Sequence, residues 1–162
     1  ITSDNSVAAL HEYGNSFGKL ILDKYTKPTS RKEEDILADA MKQKTDASLQ
    51  ELQLPAITYK NFANDLKVMK VPSILAQSHM LIVNGYQGMS MGLLSMLHLF
   101  TQPVQGNGGY AAYTKGYADV TEGYAGVVVL FAKQGVNFDQ EETGAMFQYK
   151  PVQNDTITNT HS

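Results

Sequence analysis

The sequence predicts an all-α fold, a bundle of four main helices with short accessory ones in up-down order. Three observations lead there. From Leu75 to Phe100, Leu75, Ile82, Met89 and Met96 hold one heptad position while His79, Tyr86, Leu93 and Phe100 hold the other. Spacings of three and four are the seam of a helix buried along one side. A seven-residue unit headed by Gly-Tyr-Ala then recurs at Gly109, Gly116 and Gly123. Seven residues make about two helical turns, whereas strand alternation would turn each successive tyrosine to the opposite face. Near the start, Val7, Leu10, Gly14, Phe17 and Ile21 repeat the helical spacing.

The first helix is expected over about residues 5–26, with Ser3, Asp4 or Ser6 as N-cap and Lys27-Pro28 as its end. Ser30-x-x-Glu33 is a capping box, in which each side chain takes the other residue's backbone N–H. A second helix should run from there to about Glu51. Its apolar face is thin (Ile36, Leu37, Ala40, Met41, Ala47), so it belongs on the outside. Pro55 interrupts, and Phe62, Leu66 and Met69 suggest a short helix near 58–68. Pro72 opens the heptad helix, because a proline is tolerated in a first turn. Residues 101–108 read as a turn by their Pro, Asn and Gly content. In the last main helix Tyr110, Tyr117, Tyr124 and Phe131 form one stripe, with Tyr113, Val120 and Val127 beside it. Asp139-x-x-Glu142 is a second capping box and begins a short helix to about Tyr149. The domain is thus expected over residues 1–150, with a mobile polar tail at 151–162. Asn154-x-Thr156 in that tail has the form of a glycosylation sequon, without meaning in a bacterial protein.

Composition narrows the function. In 162 residues, 13 Lys and Arg stand against 16 Asp and Glu, for a net charge of −3. Phosphate neutralisation needs a basic surplus, so no nucleic-acid partner is expected. The absence of cysteine removes disulfides, thiolate metal sites and thiol nucleophiles. Charge is unevenly spread: residues 1–70 hold ten acidic and ten basic side chains, and residues 71–114 hold none. Gln77, Ser78, His79, Asn84, Gln87, Ser90 and His98 interrupt that neutral run, which reads as a buried central helix and its turn rather than a membrane span.

Several motifs suggest chemistry. Gly88-Met-Ser90-Met-Gly92 matches the nucleophile elbow of serine hydrolases, and Ser90, then Asp119 or Asp139, then His161 follow the hydrolase order. The elbow needs a strand running into the serine, however, and here the heptad count runs straight through it. Gly106-x-Gly108-x-x-Ala111 resembles a dinucleotide fingerprint but lacks the strand before it and the βαβ unit around it. His79, at a heptad core position, is the candidate for a metal or haem ligand, against the simpler reading of a neutral core histidine. No Glu-x-x-His accompanies it. Met80, Met89, Met91 and Met96 near His79 and His98 have the softness that copper(I) favours, but at these spacings they read as core filler. Tyr110, Tyr113, Tyr117 and Tyr124 are the candidate interaction surface, since tyrosine offers large area at small entropic cost. The alternative for them is core packing with the hydroxyls at the edge.

Val71-Pro72 followed by Leu75, His79, Leu81 and Asn84 resembles a stretch of bacterial single-pass membrane proteins with a helical extracytoplasmic domain. The resemblance covers about a tenth of the chain and implies location and fold. With the cysteine-free composition, rich in uncharged polar residues, it leads to one expectation. The chain is a non-enzymatic structural or protein-interaction domain outside the cytoplasm, tethered to a membrane through a preceding segment, with no cofactor. A metal- or haem-binding bundle using His79 and a serine hydrolase using Ser90 are the alternatives.

Two close turns of the hairpin are expected to depend on glycine. Folding at Val104-Gln105 sets Tyr110 level with Phe100, Tyr117 with Leu93, Tyr124 with Tyr86 and Phe131 with His79. Gly85, Gly88 and Gly92 in the third main helix and Gly109, Gly116 and Gly123 in the fourth would then let these helices, or a third helix, come close, with alanine at Gly116 or Gly123 overpacking the contact.

Overall fold

The computed structural model describes residues 1–25 and 31–148. It is all-α. Among the described residues there are five α-helices: α1 (Val7–Lys24), α2 (Glu33–Gln43), α3 (Gln53–Lys67), α4 (Ala76–Met96) and α5 (Pro103–Gln134). Three 3-10 segments, Asp46–Leu52, Ser73–Leu75 and Thr143–Phe147, join them or follow.

Helix ends follow local chemistry. The Ser6 side chain accepts the Ala9 N–H and starts α1. Glu33, Glu34 and Asp35 occupy the first turn of α2, where carboxylates favour the positive end of the helix dipole. Ser30, the expected cap, and Lys27-Pro28 and the 151–162 tail lie outside the described residues. The second helix does not reach Glu51. It stops at Lys44, which adopts the left-handed conformation (φ 54°), and Thr45 caps the 3-10 segment that follows. The break has a purpose, because Asp46 accepts the Phe100 N–H at 2.8 Å and the Thr101 hydroxyl, pinning the α4–α5 turn. Pro55 does not interrupt a helix either. It sits in the first turn of α3, where its missing N–H needs no partner, so α3 starts five residues ahead of the expected 58.

Pro103 likewise occupies the first position of α5, which absorbs most of the expected 101–108 turn. Gly135, in the left-handed conformation, ends the helix after 32 residues. The second capping box forms in half: Glu142 accepts the Asp139 N–H at 2.8 Å. A 3-10 segment follows instead of an α-helix.

The α4–α5 hairpin is built on glycine. A Cβ on Gly116 would lie 2.5 Å from the Gly85 carbonyl oxygen and 2.7 Å from the Met89 nitrogen. One on Gly109 would lie 2.7 Å from the Gly92 oxygen, and one on Gly123 would lie 2.7 Å from the Ser78 oxygen. The backbones therefore touch, antiparallel, along three successive heptads. The register differs from the expected one. Tyr117 was to lie level with Leu93, but its neighbour Gly116 lies against Gly85 and Met89, because the chain reverses between Met96 and Pro103, ahead of Val104-Gln105, which shifts α5 along α4.

Two apolar clusters fill the interior. One gathers α1, α3, α4, the C-terminal half of α5 and the 3-10 segment at 143–147 around Phe17, Phe62, Ile82, Phe131 and Phe147. The other, at the α4–α5 turn, holds Ile36, Ala40, Leu49, Leu52, Leu93 and Met96. The 139–147 segment straps α1: the Thr143 hydroxyl donates to the Asn15 carbonyl at 2.6 Å, and the Gly144 N–H to the Asn15 side chain at 2.8 Å.

Candidate functional site

Each tyrosine of the Gly-Tyr-Ala unit follows a glycine by one residue, about 100° around the helix. With the glycines on α4, the tyrosines lie to one side of it, and what they meet is set by the rest of the chain. Tyr124 meets the larger core. Its ring centroid is 5.6 Å from Phe17 and 5.9 Å from Phe147, and it packs on the same core as Tyr86. Burial pushes its pKa up. Tyr110 and Tyr117, at the other end, are 54% and 61% exposed. Tyr113 is half-buried against the smaller cluster. The structure thus brings Tyr110, Tyr113 and Tyr117 together and takes Tyr124 away from them.

The wall opposite these three is α2. Glu34 and Leu37 join Tyr110, Tyr113, Thr114 and Tyr117 around a cavity of about 440 Å³. A second cavity of about 300 Å³ adjoins it, sharing Leu37 and Tyr110 and floored by Leu99 and Phe100. The first has a carboxylate and hydroxyls at its rim, and the second is almost wholly apolar. Burial, then the carboxylates of Glu33 and Glu34, raise the Tyr113 pKa, so its hydroxyl stays protonated. Glu33 itself is held by the Tyr59 hydroxyl. Glu34, Leu37 and Met41 were not among the expected site residues. The thin apolar face of α2 was the available signal, but nothing local says that this face meets α5.

His79 is 4% exposed and fully partnered. Its Nε2 lies 3.1 Å from the Leu66 carbonyl, which can only accept, so Nε2 carries the proton. The Tyr13 hydroxyl then donates to Nδ1 at 2.9 Å. Burial holds the His79 pKa below 6.5, with the Leu66 carbonyl opposing. Tyr13 stands against both His79 and Phe131, which were expected to meet directly. Both ring nitrogens are committed within the fold, so neither has a lone pair free for a metal or haem iron. Among the described residues no group of three His, Asp or Glu side chains converges as a metal site.

Ser90 lies in the middle of α4 and is 3% exposed. No strand leads into it, so the elbow geometry is missing, and Asp119 is paired to Lys115 on the surface of α5. His161 lies outside the described residues. Gly106 and Gly108 lie inside α5, with Gly106 against Leu99, so they form no phosphate-binding turn. Met89 and Met96 fill the core as expected, but Met80 and Met91 face outward. No described helix is long and apolar enough to cross a membrane.

The chain matches no protein-family model, no curated protein and no solved structure. The resemblance at Val71–Asn84 gains no support from these comparisons.

Proposed function

We propose that this chain is a non-enzymatic protein-interaction domain whose binding surface is the groove between α2 and α5. One observation carries the reading. Tyr110 and Tyr117, two large aromatic side chains, stand open at a preformed cleft, while Ser90 is buried within α4 and His79 is buried with both ring nitrogens hydrogen-bonded. Exposed tyrosine beside a cavity is typical of binding surfaces, since the ring brings area and the hydroxyl brings a hydrogen bond. An extracytoplasmic setting on a membrane-anchored bacterial protein belongs to the same reading. It rests on the cysteine-free, weakly charged composition and the Val71–Asn84 resemblance.

The test is selection of displayed random peptides on the folded domain. Binders that lose affinity for Tyr110→Ser and Tyr117→Ser variants with unchanged circular dichroism are expected. Binders that ignore both substitutions would place recognition elsewhere.

A further inference from the structure

The groove has two chemically different halves. Three tyrosines and the Glu34 carboxylate line the first, with no lysine or arginine among them. The nearby cations point elsewhere: Arg31 pairs with Asp39 and Glu51, and Lys115 with Asp119. Glu34 makes no ion pair among the described residues, and no other aromatic ring stacks on Tyr110, Tyr113 or Tyr117. The face of a tyrosine ring carries the negative side of its quadrupole, which attracts an ammonium or guanidinium group placed over it. The adjoining half offers Leu37, Met41, Leu99 and Phe100 to an apolar side chain.

We propose that the groove takes a basic peptide segment: a lysine or arginine side chain enters between Tyr110, Tyr113, Tyr117 and Glu34, and a bulky apolar side chain of the same segment fills the cavity over Phe100. The inference rests on the reading of this groove as the binding surface and adds the class of ligand. In an extended peptide, side chains two residues apart point the same way, about 7 Å from each other. Two adjoining cavities on one face suit that spacing. The charge half selects and steers the ligand, so affinity falls as salt rises.

The probe is the blocked peptide Ac-Gly-Lys-Ser-Leu-Gly-NH2, titrated into the domain at low salt and followed by NMR of the tyrosine rings. Shifts at Tyr110 and Tyr117 are expected. Changing the probe's lysine to glutamine, or Glu34→Gln in the domain, should each weaken binding by roughly fivefold, a modest factor suited to an exposed cation site. The two changes together should lose little more than the lysine change alone, because without the cation Glu34 has no charge to pair with. Equal affinity for the lysine and glutamine probes, or no binding at millimolar probe, overturns the proposal. So does binding of tetramethylammonium as tight as the peptide, which would make the ligand a free cation. If the lysine is irrelevant while the probe's leucine and Tyr110 still matter, the cation falls and the binding groove stands. If neither this probe nor any selected peptide touches the tyrosines, the groove reading falls too.

Discussion

The two ends of α5 share one repeated sequence and have opposite fates. At Gly109 and Gly116 the following tyrosine stands at an open groove; at Gly123 it is enclosed by Phe17, Phe147 and Tyr86. The glycines themselves behave alike, each pressed on the α4 backbone. What differs is the third layer. Over the C-terminal half, α1 and its strap close the core, while over the N-terminal half short α2 lies across a gap. A local repeat can therefore set a packing face uniformly and leave the adjacent face to whatever the rest of the chain supplies.

The sharpest way to break this comparison is to truncate the tyrosines. Tyr124→Ala should cost about 2–3 kcal/mol, below the range for a fully buried aromatic because Tyr124 is partly buried against the core. Tyr110→Ala and Tyr117→Ala should stay within about 0.5 kcal/mol, as for surface changes. Chemical denaturation measures all three, and equal losses would mean that the two ends are not different. The glycines come next. Gly116→Ala and Gly123→Ala should destabilise by about 1–3 kcal/mol, because the new methyl meets backbone atoms. Gly108→Ala has open space and should stabilise α5 by about 0.5–1 kcal/mol. Thermal melting separates the two signs, and stabilisation at Gly116 would refute backbone contact.

A smaller effect sharpens the closed end alone. His79 is neutral in the folded protein with its pKa below 6.5, so the unfolded chain binds the extra proton first as pH falls. Stability should thus decline from pH 7 as the pH passes below 6.5, before the carboxylates titrate. Denaturation at stepped pH should show this slope in the wild type and a flatter one in His79→Gln. The smallest effect concerns the strap. Asn15→Ala removes the acceptor for the Gly144 N–H, and hydrogen exchange there should quicken without a matching change at Tyr113.

Much of the fold was legible from residue order. The Leu75–Phe100 heptads became α4 as far as Met96, with Phe100 in the turn that follows, and the glycines of the Gly-Tyr-Ala units became the packed face of α5. Boundaries went astray where a side chain serves a distant partner. Thr45 and Asp46 end α2 early because Asp46 holds Phe100 and Thr101 across the chain, a demand that no local window contains. Pro55 and Pro103 were read as breaks and are starts, since proline suits both and only the neighbours decide. Three of the four tyrosines of the candidate surface assemble; Glu34 and Leu37 opposite them could not be named beforehand.

The sequence by itself determined the helical class and the glycine seam, because spacing of three and four and the size of a missing Cβ are properties of the chain alone. Only the tertiary structure decided which tyrosines face outward and which wall stands across from them. Those outcomes depend on where α1 and α2 come to rest, and their positions are set by contacts between residues far apart in sequence, to which local periodicity is blind.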